Sequence, residues 1–203
     1  KDIDVVVRGE GEYTMLELAG SILDKGNGLA QIKGIAYWED GVVKTTPERP
    51  FIKDPDELPF PARGLFPLPL YQSPGTVLTS RGGCPFNCDF CTVNTIWKGK
   101  RRYRKPEKVV EEILYIFKHG QAQEISFVDD TLTLDKRCVI ELCGLLKTVQ
   151  EPLQLRWMCS TRVDLVDREL LSKMREAGCY SIQYGIEAGS QKMLDFMDKG
   201  ITL

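Results

Sequence analysis

From residue 76 onward, short apolar runs alternate with stretches in which apolar residues recur at helical spacing. β-Branched and aromatic residues predict strands over 76–80, 124–128, 153–159 and 180–186. Helical periodicity predicts helices over 106–117, 135–149, 167–177 and 190–197. Pro106 opens the first of these helices, in a position where the missing N–H is tolerated. Repeated strand–helix units of this kind predict an α/β fold with a parallel sheet covered by helices.

The pattern before residue 76 is different. Ile3–Val7 has the composition of a short buried strand, residues 12–23 have helical periodicity, and residues 32–43 predict a hairpin that turns at Asp40-Gly41. Residues 47–75 contain eight of the eleven prolines, and proline interrupts both helices and central strands. We therefore divide the chain into an N-terminal part, a proline-rich connector and a strand–helix region, at 1–46, 47–75 and 76–203.

Composition narrows the class of protein only modestly. The 27 lysines and arginines balance 29 acidic residues, so the charge gives no reason to expect nucleic acid or a membrane surface as a partner. No apolar run approaches the roughly 20 residues that a membrane-spanning helix needs. The chain has seven cysteines, an odd number, which does not suit a disulfide framework. We therefore expect a cytoplasmic protein without a membrane span.

Cys84, Cys88 and Cys91 form a C-x3-C-x2-C motif in one short loop. Cubane iron–sulfur clusters usually take four cysteines, so three ligands leave one iron open, and a substrate can coordinate at an open metal position. A structural zinc site normally closes with four ligands, and the only histidine, His119, has no partner pair. The spacing therefore favours an iron–sulfur cluster with an open iron, with a zinc site or inert core thiols as the alternatives.

The string around these cysteines resembles the signature of the radical S-adenosylmethionine (SAM) superfamily. The whole chain resembles, more narrowly, the branch of that superfamily that contains a cobalamin-binding domain. The segments that carry this narrower resemblance are Val7–Thr14, Asp56–Arg63, Ser80-Arg-Gly, Phe127–Thr131 and Tyr184–Ser190. The resemblance covers almost the entire chain, and its cysteine motif is its most specific part.

The fold implied by the resemblance is a partial (β/α)6 TIM-like barrel, of which residues 76–203 would supply about four units. Residues 1–46 would then be the C-terminal remnant of a cobalamin-binding-type domain, followed by the hairpin. The chain starts at Lys1 without an initiator methionine and stops at Leu203, soon after a predicted helix. We therefore expect it to be a fragment of a longer protein.

The activity implied by the resemblance is [4Fe-4S]-dependent reductive cleavage of SAM to a 5′-deoxyadenosyl radical, which abstracts hydrogen from a small-molecule substrate. In the cobalamin branch, the implied outcome is methyl transfer to an unactivated carbon, with oxidative cyclisation or rearrangement as the enzymatic alternative. A non-catalytic iron–sulfur electron carrier and a zinc-stabilised binding module are alternatives from other classes. Both would normally fill the fourth ligand position.

The resemblance also implies roles for residues near the carboxyl ends of the strands, where parallel β/α barrels place their chemistry. Cys84, Cys88 and Cys91 would bind three irons and leave the fourth to the amino and carboxylate groups of SAM. Phe90 would cover the cluster and stack near the adenine, or else pack as an ordinary core residue.

The two glycines before the first cysteine, Gly82 and Gly83, would let backbone N–H groups approach the cluster or its ligand. Many relatives have a single glycine there, so the second glycine departs from the family pattern. The resemblance therefore does not fix the local geometry of this loop.

Polar residues after the later strands complete the expected SAM site. Asp129 and Asp130 stand where the family binds the methionine amino group, with helix capping or a solvated turn as the alternative. Arg162 either meets the SAM carboxylate or makes a surface salt bridge. Glu187 and Ser190 stand where the family contacts the ribose hydroxyls, and Ser190 alternatively caps the last helix.

Two further features have less specific interpretations. Residues 98–105 form a basic run, which predicts either a docking surface for an acidic flavodoxin- or ferredoxin-type electron donor or a solvated loop. The remaining cysteines lack metal-ligand spacing and are expected to be small core residues; they are Cys138, Cys143, Cys159 and Cys179.

Overall fold

The structure is a computed structural model that describes residues 3–24, 28–67, 70–71, 74–120 and 122–203. The chain forms two compact units, Lys1–Lys53 and Asp54–Leu203. Within the described residues, no helix is long and apolar enough to cross a membrane.

The first unit is a three-stranded antiparallel sheet with one helix. Its elements are β1 (Val5–Val7), α1 (Glu12–Asp24), β2 (Ile35–Glu39) and β3 (Val42–Thr45), and the strand order is β1-β2-β3. The predicted hairpin is confirmed, because β2 and β3 are joined at Asp40 and Gly41, whose φ values are 52° and 79°. Positive φ at both turn residues is the geometry that Asp-Gly favours in two-residue hairpins. The core of this unit consists of Leu18, Ile32, Ile35 and Tyr37.

The second unit contains the predicted alternation of strands and helices. Its elements in chain order are β4 (Gly75–Val77), β5 (Ser80–Gly82), α2 (Val93–Trp97), β6 (Arg101–Tyr103), α3 (Pro106–Lys118), β7 (Ile125–Phe127), α4 (Lys136–Leu153), β8 (Trp157–Thr161), α5 (Arg168–Glu176), β9 (Cys179–Tyr184) and α6 (Gln191–Phe196). Strands β4, β7, β8 and β9 form a parallel sheet in that order. The α/β fold with a parallel sheet is therefore confirmed, and in the described part of the chain this sheet is open rather than a closed barrel.

The first predicted strand, at 76–80, is wrong in its extent. Strand β4 ends at Val77, and the chain resumes as β5, which pairs antiparallel with β6 in a separate two-stranded sheet. The cysteine loop consequently follows β5 and not the parallel strand. The predicted strand at 153–159 begins only at Trp157, because α4 continues to Leu153 and ends at Gln154 with a left-handed φ of 47°.

Helices α3, α4 and α5 pack on one face of the parallel sheet. Strand positions alternate accordingly, since Ile125 and Phe127 are buried while Ser126 between them is half-buried. The buried residues that the helices contribute are Val109, Val110, Ile113, Ile116, Val139, Leu142, Cys143, Leu146, Leu170 and Met174. The predicted core placement is confirmed for Cys143, Cys159 and Cys179, whereas Cys138 is only partly buried.

Candidate functional site

The carboxyl ends of the parallel strands meet at one edge of the sheet, and the predicted site residues lie near that edge. Asp129 and Asp130 follow β7, Arg162 follows β8, and Glu187 follows β9. The loop that bears the three cysteines starts after β5 and ends at α2. The site therefore combines one loop from the small antiparallel sheet with three loops from the parallel sheet.

The cysteine loop is fixed by hydrogen bonds to its own backbone and to the segment after α6. The Cys91 N–H donates to the Cys88 carbonyl at 3.0 Å, which closes a tight turn. The Asn94 side-chain amide donates to the Phe86 carbonyl at 2.9 Å. The Asp89 N–H donates to the carbonyl of Met197 at 3.0 Å. The loop therefore has a defined shape before any cofactor is considered.

All three cysteines of this loop are free thiols, with Cys84 and Cys88 partly buried and Cys91 exposed. Throughout the described residues, no group of three or more His, Cys, Asp or Glu side chains is arranged around one metal ion. Three free thiols on one loop are the ligand chemistry of an iron–sulfur cluster, which is held by cysteine thiolates.

Gly82 and Gly83 are required by the close approach of two backbone segments. Gly82 has φ of +129°, and a Cβ at this position would lie 1.9 Å from the Lys100 carbonyl oxygen. A Cβ on Gly83 would lie 3.0 Å from the Asn94 Oδ1 atom and from the Gly99 Cα atom. From the sequence, we expect the Gly83 N–H to approach the cluster or its ligand. In this structure the Gly83 N–H instead donates to the Lys100 carbonyl at 2.8 Å. Both glycines therefore serve the β5–β6 pairing.

Asp129 is a buried anchor and not an open ligand. Its Oδ2 accepts from the Thr79 N–H at 2.9 Å, and its Oδ1 accepts from the Thr79 hydroxyl at 2.9 Å and from the Ser80 hydroxyl at 2.5 Å. Arg101 Nη2 lies 3.5 Å from the same Oδ1. The expected contact of Asp129 with the methionine amino group stays a prediction, and in this structure the Asp129 oxygens hold the end of β4 and the start of β5.

Asp130, by contrast, is exposed and makes no hydrogen bond to another described residue. Partial burial raises the pKa of its carboxyl, Arg101 acts in the opposite direction, and the neighbouring Asp129 adds to the rise. Of the two aspartates, Asp130 is therefore the one whose carboxylate is free to meet a cationic ligand.

Arg162 is buried against the cysteine loop. Its Nε and Nη2 atoms donate to the two Asp164 oxygens at 2.9 and 2.8 Å, and its Nη1 lies 3.8 Å from Cys88 Sγ. Burial acts to lower the pKa of Arg162, but Asp164 and the Cys88 and Cys84 sulfurs raise it above its ordinary value. Two guanidinium nitrogens are thus paired with Asp164 in a salt bridge that is buried on the Arg162 side and 35% exposed on the Asp164 side, and the expected contact with the SAM carboxylate stays a prediction.

Glu187 and Phe90 both lie beside a lysine that the sequence reasoning missed. Lys199 is only 5% exposed, and its Nζ lies 3.1 Å from Glu187 Oε1 and 5.7 Å from the centroid of the Phe90 ring. Phe90 itself is 49% exposed, so it is not an ordinary core residue. In the sequence, Lys199 between a predicted helix and Gly200 looks like a common helix end, which gives no signal of burial.

Ser190 occupies the N-cap position of α6 without a side-chain capping hydrogen bond. Its hydroxyl is exposed. The alternative prediction that Ser190 caps α6 thus holds for its position but not for a side-chain hydrogen bond, and its expected contact with the ribose stays a prediction.

Two arginines of the basic run at 98–105 pair with internal partners, whereas Lys98, Lys100 and Lys105 are exposed. Arg101 donates to the Thr131 carbonyl and approaches Asp129, as described above. Arg104 donates to Glu112 at 2.6 Å and to the Leu78 carbonyl at 2.9 Å. Neither arginine is available to dock an electron donor or to form a solvated loop, since both hold neighbouring elements in place.

Comparison with known proteins gives consistent matches. The family model of the radical SAM superfamily matches residues 79–203. An uncharacterized methyltransferase of Pyrococcus horikoshii is 42% identical over 205 residues, which cover 98% of this chain and 44% of that protein. The anaerobic magnesium-protoporphyrin IX monomethyl ester cyclase of Rubrivivax gelatinosus is 35% identical over 213 residues, which cover 99% of this chain and 37% of the cyclase.

Among solved structures, the fold is similar to that of TsrM, a radical S-adenosylmethionine methyltransferase from Kitasatospora setae. With tryptophan substrate and a SAM analog bound, TsrM matches with a TM-score of 0.79 at 21% identity, over 99% of this chain and 41% of TsrM. With cobalamin and a [4Fe-4S] cluster bound, it matches with a TM-score of 0.76. This chain spans less than half the length of each of these relatives. Because the family match covers more than half of the chain and includes the cysteine loop, the chain belongs to the radical SAM superfamily.

Proposed function

We propose that this chain is the part of a radical SAM enzyme that holds the [4Fe-4S] cluster and SAM, and that the enzyme transfers a methyl group from cobalamin to an unactivated carbon. The observation that carries the proposal is the cysteine loop itself. Three free thiols stand on one hydrogen-bonded loop, and a buried guanidinium points at one of them. Bound there, the cluster supplies the electron for reductive cleavage of SAM.

The charges around the loop support specific contacts to SAM. The free carboxylate of Asp130 suits the methionine ammonium, because a charge-assisted hydrogen bond joins opposite charges. Lys199 suits the methionine carboxylate, because its ammonium has three donors and Glu187 accepts one of them. The half-exposed ring of Phe90 suits stacking on the adenine. Glu187 and Ser190 are assigned to the ribose hydroxyls.

The protein around this site also orients the reactants and shields charged side chains from water. The parallel sheet and its helices fix the loops, so that SAM and the substrate meet in one orientation. Burial of Arg162 and Lys199 keeps two charges partly out of water, which strengthens their attraction to anionic groups. We assign this role to residues 76–203, joined by the connector at 47–75 to residues 1–46, the end of a cobalamin-binding-type domain.

Methyl transfer is preferred over cyclisation because the 42% identical relative is named a methyltransferase, whereas the cyclase is 35% identical. The cyclase match keeps oxidative cyclisation as the second candidate. The cobalamin assignment draws on the cobalamin-bound structure of TsrM. A small molecule is the proposed substrate, and a flavodoxin- or ferredoxin-type protein is the proposed electron donor. The enzyme would work in the cytoplasm, where thiols stay reduced.

The proposal is tested by anaerobic cluster reconstitution followed by EPR of the reduced protein with and without SAM. A cubane signal that changes on addition of SAM, together with release of 5′-deoxyadenosine, is the expected result. Cys91→Ser should abolish both, while the matched control Cys138→Ser, outside the loop, should retain both. A bound zinc ion with no iron would overturn the proposal. A cubane signal that ignores SAM in the intact gene product would instead support an electron carrier.

A further inference from the structure

The guanidinium of Arg162 is held by three different partners. Asp164 accepts from its Nε and Nη2 atoms, and the ring of Phe86 packs against it, with 3.6 Å between the Arg162 Cζ atom and the ring centroid. The third contact is the 3.8 Å approach of Nη1 to Cys88 Sγ. Because a guanidinium is planar and offers a rigid fork of donors, fixing two nitrogens on Asp164 also fixes the direction of the third.

The geometry therefore holds one full positive charge beside the cysteine loop. The Arg162 side chain is only 5% exposed, whereas the Asp164 carboxylate is 35% exposed. Water screens Asp164 more than it screens Arg162, so the negative charge offsets the positive one only in part at the sulfur. Hydrogen bonds to cluster sulfurs and nearby charge are among the factors that set the reduction potential of iron–sulfur clusters.

We propose that Arg162, positioned by Asp164 and Phe86, raises the reduction potential of the cluster through its N–H contact with the Cys88 sulfur. This inference rests on the proposed function, since it requires a cluster on the cysteine loop. Arg162 acts here on the cluster sulfur directly, and Asp164 is the positioning residue that acts through Arg162.

The sign follows from the charge change on reduction. One electron from the donor enters the oxidised cluster, no bond is made or broken, and the cluster becomes more negative by one charge. A fixed positive charge stabilises the more negative state, so removal of Arg162 disfavours reduction. Removal of the Asp164 charge has the opposite effect, because the guanidinium, still held by Phe86 and by burial, loses its counter-charge.

The experiment is an EPR-monitored redox titration of the reconstituted, intact gene product. Arg162→Met should make the equilibrium constant for reduction at least tenfold less favourable, a downward shift of about 59 mV for one electron. Asp164→Asn should shift the potential upward. Arg162→Lys should recover part of the loss, because it restores the charge without the fork. The matched control is Arg156→Met. Arg156 lies next to Glu124 and Tyr180, away from the cysteine loop, so its substitution should leave the reduction potential unchanged.

Opposite signs for the Arg162 and Asp164 variants would not arise from a merely structural role, which would disturb the cluster similarly in both. An unchanged potential in Arg162→Met, or a downward shift in Asp164→Asn, overturns the inference. If Arg162→Met takes up no cluster, Asp164→Asn decides alone: an upward shift supports the inference and any other result overturns it. Failure of the unsubstituted protein to take up iron is a different outcome, which removes the proposed function and this inference together.

Discussion

Asp129 Oδ2 accepts a hydrogen bond of 2.9 Å from the backbone N–H of Thr79, which joins the carboxyl ends of two neighbouring strands across 50 positions of sequence. The same carboxylate accepts from the Thr79 hydroxyl, so both polar groups of Thr79 end on one side chain. This anchor holds the chain where it leaves the parallel sheet and turns toward the cysteine loop. The position of the loop therefore depends on a residue that does not touch a thiol.

Asp129 and Asp130 are adjacent, but we expect their substitutions to have different effects. Asp129→Asn places an amide among donors that need a carboxylate, and it should lower the free energy of unfolding by about 3 kcal/mol, because buried hydrogen bonds to a charged group are lost. Asp130→Asn should leave stability within about 0.5 kcal/mol, since its side chain is exposed. Chemical denaturation of the two variants measures both values.

The Asp129→Asn and Asp130→Asn variants also distinguish a role in anchoring the loop from a role in binding SAM. If Asp130 holds the methionine ammonium, Asp130→Asn should weaken SAM binding to the reconstituted protein by about tenfold or more. Equal stability losses in the two variants would contradict the anchoring role of Asp129. Unchanged SAM affinity in Asp130→Asn would contradict the assignment of Asp130.

The strand–helix alternation was predictable because a buried parallel sheet requires apolar runs and its helices require apolar residues at helical spacing. The split of the first strand was not, since the interruption after Val77 depends on Asp129, which lies far away in sequence. The pairing of Gly82 with residues beyond the cysteine loop likewise depends on a long-range contact with Lys100. Local pattern carries no information on either contact.

In the site, too, the local motif was predictable from the sequence and the long-range contacts were not. The cysteine spacing identified the cluster loop, because all three ligands lie within one short segment. It gave no indication of which charges would be free, and here the structure differs from expectation: Arg162 is committed to Asp164, and the arginines of the basic run are committed to internal partners. Lys199 was missed because a lysine after a helix is usually solvated. Burial and pairing of charges are properties of the folded chain.

Gly82 should not tolerate any side chain. Gly82→Ala would place a Cβ 1.9 Å from the Lys100 carbonyl oxygen at a φ of +129°, so both overlap and backbone strain arise. We expect a loss of at least about 2 kcal/mol in the free energy of unfolding, together with a lower yield of cluster on reconstitution. Thermal or urea unfolding and iron content give the two readouts.

Gly189→Ala provides the comparison, because a Cβ at that position meets nothing within 4 Å. Its stability should change by less than about 0.5 kcal/mol, and its iron content should match that of the unsubstituted protein. A Gly82→Ala protein with normal stability would show that the β5–β6 approach is looser than described.

Glu112 joins two arginines in a nearly buried position. Its Oε1 accepts from Arg63 at 2.5 Å and its Oε2 accepts from Arg104 at 2.6 Å, while Glu112 itself is 2% exposed. Glu112→Gln removes the counter-charge of Arg63 and leaves Arg104 only the Asp56 carboxylate at 3.4 Å, so it should destabilise the protein by about 3 kcal/mol. Glu111→Gln, on the same helix but in an exposed pair with Lys108, should cost less than about 0.5 kcal/mol. Similar losses in both variants would refute the structural role of Glu112.

The cysteines should react with alkylating reagents in a fixed order. Burial raises the pKa of Cys143 to about 12, and the neighbouring Cys179 adds to the rise. The thiolate is the reactive species, so at pH 9 only about one Cys143 in a thousand would be ionised, and the side chain is also inaccessible. In the apoprotein, iodoacetamide followed by peptide mass spectrometry should therefore show labelled Cys91 and unlabelled Cys143 from pH 7 to pH 9. Labelling of Cys143 without denaturant would mean that α4 separates from the sheet.

Lys199 and Glu187 give the sharpest test of the SAM site. The Lys199 ammonium has three donors, and Glu187 accepts one of them at 3.1 Å, on the side of the site that carries Phe90. If another donor meets the methionine carboxylate, Lys199→Met should weaken SAM binding by about tenfold or more, whereas Lys199→Arg should retain most of it. Titration of the reconstituted protein with SAM, followed by EPR, measures the affinity.

Lys192→Met is the matched control, because Lys192 is exposed at the start of α6. It should bind SAM as the unsubstituted protein does. If Lys199→Met also binds SAM normally, Lys199 serves only as the partner of Glu187. The methionine carboxylate of SAM would then bind a different cationic group. A Lys199→Met protein that binds SAM weakly but takes up iron normally would separate the ligand site from the cluster site, since Lys199 would then act on SAM without supporting the cysteine loop.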